Sequence, residues 1–251
     1  MKATFQLKTK LIQPQKMKAA PSYKGHRYPT KIIEEAVWLY FNFALSFREV
    51  EMMLARRGVE VSYETIRQWC LKFGQAYANK LRRRRPRPGN KWHLDEVVLK
   101  IKGEQCYLWR AVDQERVILD ILVQSRRNTR AATRFFKKLL KGLEYVPGVI
   151  ITDKLRSYGA AKKELLPKVE HRQHKRLNNR AENSHQPTRV REKLMRRFKS
   201  QGQAQRFLPA QGLIREHLRP KRHKVSASDY RAKMQEQFTT WNEVTRLSTA
   251  T

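Results

Sequence analysis

The chain has 251 residues, with 55 Lys and Arg against 22 Asp and Glu and a formal net charge of +33. An excess of that size, spread along the whole chain and not along one amphipathic helix, calls for a polyanionic partner, nucleic acid before an anionic membrane. No apolar run approaches the roughly 20 residues of a membrane span, no apolar segment follows the basic N-terminus as in a secretory signal, and two cysteines, Cys70 and Cys106, make neither a disulfide framework nor a zinc knuckle, as suits a reducing cytoplasm.

Residues 1–29 read as a basic, disordered arm, rich in Lys, Gln, Pro and Ser and without a sustained period. Met17 offers a second start, so residues 1–16 read as dispensable. From Thr30 the period is helical: Ile33, Val37, Tyr40 and Ala44 recur at spacings of three and four, with Ile32, Ala36 and Phe43 beside them. Ser46 and Glu49 have the spacing of a capping box for a second helix that would bury Val50, Met53 and Leu54 and stop at Gly58, which suits the left-handed C′ position. Ser62 caps a third helix, on which Ile66, Trp69, Cys70 and Phe73 form a buried stripe. Helix, glycine turn, helix predicts a helix-turn-helix domain over residues 30–80, with Thr65, Arg67, Gln68 and Lys72 as its DNA contacts. A three-helix bundle whose last helix only faces water is the competing reading.

Residues 81–90, with Arg82-Arg83-Arg84-Arg85-Pro86-Arg87-Pro88-Gly89, read as a linker because Pro and Gly stop the helix. Arg83 and Arg84 would grip phosphates there without reading sequence; a nuclear localisation run has the same composition. Trp92 to Ile101, Gln105 to Asp113 and Val117 to Val123 then predict a three-stranded meander. A helix opens at Asn128 and runs to about Lys141, burying Ala132, Phe135, Phe136, Leu139 and Leu140. After it come a short strand, Val149 to Thr152, a short helix from about Lys154 to Leu165, a weak strand, Lys168 to Arg172, and a long basic helix carrying Glu182. Three strands, helix, strand, helix, strand, helix is the ribonuclease-H-like, integrase-type α/β layout, assigned to residues 91–200. Residues 201–251 are a helical extension, with helices at 203–218 and 226–245, for dimer contacts or DNA-end binding.

Three carboxylates stand in contexts that phosphodiester chemistry uses: Asp95 on the first strand, Asp153 at the end of the fourth, and Glu182 in Asn178-Asn179-Arg180-Ala181-Glu182-Asn183-Ser184-His185. Hard oxygen ligands on two strands and a helix suit a pair of Mg²⁺ ions, with Mn²⁺ as the substitute, and so basic a chain has no electrostatic reason to cluster acids without a cation. Each acid has a competing role. Glu96 is the alternative ligand on the first strand, because alternation puts Asp95 and Glu96 on opposite faces and lets only one point at the site. Asp153 has the place of a helix N-cap, Glu182 that of a solvated helix residue paired with a base, and Asp113 and Glu192 are rival carboxylates. His171, His174 and His185 lack the partners of a zinc site. Helical spacing puts Glu182, His185 and Arg189 on one face, with Arg189 placed to meet phosphate and His185 a phosphate or outer contact. Beyond them Arg191, Lys193, Arg196, Arg197 and Lys199 give that helix a DNA-facing charge.

Ser62-Tyr63-Glu64-Thr65-Ile66-Arg67-Gln68-Trp69, Trp92-His93-Leu94-Asp95-Glu96, Tyr107-Leu108-Trp109-Arg110-Ala111-Val112-Asp113, Ile151-Thr152-Asp153-Lys154 and Glu170 through Asn183 together resemble the DDE transposases of bacterial insertion sequences, specifically the insertion-sequence-six family. The resemblance runs from about Tyr23 to about Arg222. It implies a catalytic Asp95, Asp153 and Glu182, with Arg189 as the basic residue seven positions after the glutamate. It also implies a prokaryotic enzyme that acts as a homodimer or larger assembly on double-stranded DNA, cutting terminal inverted repeats and joining them to target DNA. The 28 residues between Asp153 and Glu182 are fewer than in many members, which places a shorter connection around Leu166-Pro167. A DNA-binding regulator with an inactive nuclease-like domain and a structure-selective nuclease of the same fold are the rival functions.

Overall fold

The computed structural model describes residues 22–85, 87–174, 178–219 and 225–246; the second start at Met17 and the dispensable residues 1–16 lie outside them. The described chain opens with α1 (Thr30–Asn42), α2 (Phe47–Ala55) and α3 (Tyr63–Arg84). The capping box forms: Ser46 Oγ accepts from Glu49 N at 3.2 Å, and Glu49 Oε2 accepts from Ser46 N at 2.5 Å. Gly58 takes φ +76° in the turn after α2, a conformation that costs glycine nothing. Ile33, Val37, Tyr40, Val50 and Leu54 are buried together with the Ile66, Trp69, Cys70 and Phe73 stripe. Gly74 lets α1 lie close on α3, since a Cβ there would overlap the Phe41 ring.

Several boundaries differ from those read in the sequence. Helix α1 ends at Asn42, so Phe43 and Ala44 are exposed and Leu39 and Phe41 take the buried places. Residues 22–29 are no free arm: Tyr23 stacks on Phe73 with ring centroids 4.7 Å apart, and Tyr28 donates to Glu60 O at 2.6 Å. The buried stripe of α3 continues through Tyr77, Ala78 and Leu81, so the helix absorbs the first half of the expected linker. It stops at Arg85, which is extended as the residue before a proline must be.

The sheet domain follows as β1 (Lys91–Ile101), β2 (Glu104–Asp113), β3 (Ile118–Gln124), α4 (Thr129–Leu143), β4 (Val149–Thr152), α5 (Arg156–Leu165) and β5 (Glu170–Gln173). The strand order is β3-β2-β1-β4-β5; the first three strands are antiparallel, and β4 and β5 run parallel to β1. This is the ribonuclease-H-like layout. One face of the sheet, with Trp92, Leu94 and Trp109, packs on Phe135 and Phe136 of α4 and Tyr158 of α5. The other carries Val97, Leu99 and Leu108 and receives Phe198, Ala204 and Leu208.

The long basic helix expected around Glu182 is broken into α6 (Asn179–Ser184) and α7 (Gln186–Leu194), which meet at His185. Pro187 in the first turn of α7 accounts for the break, having no N–H to continue the helix before it. The chain ends in α8 (Gln201–His217) and α9 (Ala227–Thr245). These helices are no appendage. Ala204 and Leu208 of α8 pack on the sheet, Ala210, Leu213 and Ile214 pack into the core of α1–α3, and Trp241 and Val244 of α9 join that core.

Candidate active site

The register of β4 on β1 sets Val149 against Lys91, Ile150 against Trp92 and Ile151 against His93. Two further steps along the same register bring Asp153 beside Asp95. Both line a cleft of about 930 Å³ that Glu182, His185 and Arg189 also line, so the residues named on the broken helix do share one site.

Asp95 faces the α6–α7 side, where His185 Nε2 lies 3.3 Å from its Oδ2 without hydrogen-bond alignment. Burial, and then the neighbouring Asp153 carboxylate, push the Asp95 carboxyl up to about 6. His185 is buried, and burial together with Arg110 and Arg189 holds its imidazole well below the usual range. It is therefore a neutral wall of the site and no counter-ion. Glu96 faces the α4–α5 side, as alternation requires, yet it too lines the cleft. Arg127, just before α4, explains this: it holds Glu96 Oε1 at 2.5 Å and reaches Asp153 Oδ2 at 3.6 Å. Asp153 sits past the end of its strand, where both faces of the sheet are within reach, so the expectation that only one of Asp95 and Glu96 could address the site fails. Burial pushes Glu96 up to about 7 despite the nearby Tyr158 hydroxyl and Arg127.

Asp153 does not cap α5, whose N-cap is Leu155 with no side-chain bond. Its Oδ1 shapes the turn by accepting from Leu155 N at 3.0 Å, which leaves Oδ2 toward Arg127. Asp113, the rival carboxylate, is consumed by the β2–β3 turn, accepting from Glu115 N and Val117 N at 2.8 and 2.9 Å. His171 bonds Thr152 Oγ1 at 2.9 Å, behind the sheet end.

Asp95 and Asp153 in adjacent register, the Asp95 carboxyl pushed up by burial and by its neighbour, are a donor set that a hard divalent cation relieves. Glu182 lines the cleft but stands apart: among the described residues no three His, Cys, Asp or Glu side chains come close enough to hold one ion. Three further residues shape the site and were missed in the sequence. Asn178, buried, donates to Leu94 O at 2.8 Å and ties the start of α6 to β1. Arg110, paired opposite Asp95 on β2, donates to Ser184 O and to Thr188 Oγ1 at the α6–α7 junction. Arg127 is the third; its position just before the Asn128 N-cap was the available signal.

Apart from Arg189, the expected DNA contacts all lie on α3. Thr65 Oγ1 pairs with Ser62 Oγ at 3.0 Å. Arg67 and Gln68 are both held by Glu64, at 2.7–2.8 Å, and Arg67 and then Gln68 pull the Glu64 carboxyl down to about 2. Lys72 lies 2.8 Å from His26 Nε2. Arg84 pairs with Glu243, whereas Arg83 is exposed and has no partner among the described residues. Arg191 is not DNA-facing. It is 1 % exposed, donates to Leu45 O at 2.6 Å and lies 4.0 Å from the Tyr40 ring centroid.

A sequence profile described as a DDE domain matches residues 89–221. The chain is 30% identical over 174 residues to the transposase for insertion sequence element IS257 in transposon Tn4003 of Staphylococcus aureus, covering 67% of this chain and 77% of that one. It matches the transposase for insertion sequence-like element IS431mec of Staphylococcus aureus strain Mu50 to the same extent. Among solved structures, the catalytic core domain of BIV integrase is similar over 61% of this chain and 99% of its own, at 15% identity and a TM-score of 0.34.

Proposed function

The chain belongs to the DDE transposases of insertion sequences, of the insertion-sequence-six type, and from that premise we propose that it binds the terminal inverted repeats of its element, cuts them, and joins them to target DNA with divalent metal ions held by Asp95, Asp153 and Glu182. As a member of that family it is a DNA-cleaving and strand-transferring enzyme. The observation that most supports the finer reading is the register that sets Asp153 beside Asp95 on a cleft shared with Glu182 and Arg189.

Bound there, two Mg²⁺ or Mn²⁺ ions supply Lewis acidity at the attacking and leaving oxygens of a phosphodiester. The chain's own residues do the rest. Asp95 is fixed by the central strand, and Asp153 by its bond from Leu155 N. Arg127 balances part of the acids' charge from one side. Arg189, which lines the same cleft, holds a phosphate oxygen in this reading. The α3 face with Thr65, Arg67, Gln68 and Lys72 reads the ends, Arg83 and Arg84 grip backbone, and two or more copies assemble on the DNA.

The test uses duplexes carrying element ends, a plasmid target and Mg²⁺. Asp95→Asn, Asp153→Asn and Glu182→Gln should each abolish cutting and joining while end binding stays near that of the parent. Asp113→Asn and Glu192→Gln should keep most activity. Joining by the Asp153→Asn protein overturns the site assignment. A parent protein that cuts without joining is a structure-selective nuclease, and one that binds without cutting is a regulator.

A further inference from the structure

A second cavity, of about 710 Å³, lies behind the active site between the end of α3, the β2–β3 turn, the α6–α7 junction, α8 and α9. Seven Lys and Arg side chains line it against three carboxylates. The cations are also poorly matched with acceptors. Arg116, Arg215 and Lys233 face the cavity and have no hydrogen-bond or ion-pair partner from their side chains among the described residues. Arg110 forms part of the wall, 2 % exposed, with its Nε unpartnered. Of the opposing acids, Glu216 is committed elsewhere, both oxygens accepting from Ile118 N at 2.9 and 3.0 Å.

Two further observations agree. Burial drives the Arg110 guanidinium down to about 10, and burial together with Arg219 lowers Arg215, with Glu216 opposing both shifts only in part. Arg116 holds φ +66° at the β2–β3 turn. Glycine is the ordinary residue for that conformation, so an arginine kept there brings a side chain at some backbone cost.

We propose that this cavity is a phosphate-binding site, in which Arg110, Arg116, Arg215 and Lys233 enclose a phosphate group. Guanidinium donors match phosphate oxygens in geometry, and a half-enclosed cavity strengthens such bonds over those on an open surface. The phosphate can come from the backbone of bound DNA or from a free phosphate-bearing molecule. Either would sit against Asn183, which lines both this cavity and the catalytic cleft, so the occupant shares a wall with the helix that carries Glu182. The inference does not depend on metal chemistry in the cleft.

The experiment titrates inorganic phosphate into the full chain at constant ionic strength set with chloride, without divalent metal, and follows the melting temperature. Arg116→Gly, which suits the turn, and Arg215→Gln are compared with Lys163→Gln, a charge change on the exposed end of α5. The two cavity variants should need about tenfold more phosphate for half-maximal stabilisation, and Lys163→Gln should match the parent. A second arm measures the salt dependence of binding to a duplex of arbitrary sequence. If the cavity holds a DNA phosphate, the slope falls by about one in Arg116→Gly; an unchanged slope with weakened phosphate binding assigns the site to a free phosphate-bearing ligand. Phosphate binding in Arg116→Gly equal to that in Lys163→Gln overturns the proposal. Because neither arm reads cleavage, a failure here is distinct from a failure of the catalytic assignment.

Discussion

Arg191 shows how far a single side chain can depart from its neighbourhood. It stands among exposed basic residues on α7, yet its guanidinium accepts the face of Tyr40 and donates to the carbonyls of Phe43 and Leu45, beyond the end of α1. Those carbonyls follow a helix C-terminus, where a cation is welcome. Arg191→Met should therefore lower unfolding stability by about 2–3 kcal/mol, since it strands buried acceptors and leaves a poorly filled space. Lys193→Met, two residues away and exposed, should stay within about 0.5 kcal/mol, both measured by urea denaturation. The places of Asp95 inside the first strand and Asp153 at the end of the fourth were legible because strand alternation and an acid closing an apolar run are local signals. Which arginine of a basic helix turns inward is not a local signal, because it depends on where α1 ends in space.

At the scale of elements, the run of four arginines has divided labour. Arg82 lies 3.9 Å from Asp120, Arg84 pairs with Glu243, and Arg85 donates to Ile118 O and Leu119 O at 2.7 and 3.3 Å. Of the four, Arg83 is exposed and has no partner among the described residues, which makes it the cleanest test of a phosphate contact. Arg83→Gln should reduce the salt slope of duplex binding by about one and leave the melting temperature unchanged. Arg85→Gln should instead lower the melting temperature, because it unties α3 from β3. Capping boxes, strand alternation and the order of strands and helices were readable because each depends on a few consecutive residues. The end of α3 lies beyond the expected boundary because its apolar period continues through Tyr77, Ala78 and Leu81 into the arginine run. The broken helix around His185 had its signal too, in Pro187.

At the scale of the whole molecule, the boundary read at residue 200 does not separate folding units. Helix α8 gives Ala204 and Leu208 to the sheet and Ala210, Leu213 and Ile214 to the helices, while Tyr23 donates to Thr245 O at the other end of the described chain. A protein ending at residue 200 should show no cooperative melting transition, whereas the full chain should melt as a unit; calorimetry of the two lengths decides. No local pattern announces this, since α8 spends its apolar residues on two partners and shows a single clean stripe to neither. The dual allegiance of α8 bears on descent. A genetic crossover that gave this catalytic core a new DNA-reading unit by exchanging only the front of the gene would leave α8 and α9 fitted to the helices that were lost. New specificity must then be inherited from both ends of the reading frame at once, or arise by small changes on the exposed face of α3, where no packing partner has to agree.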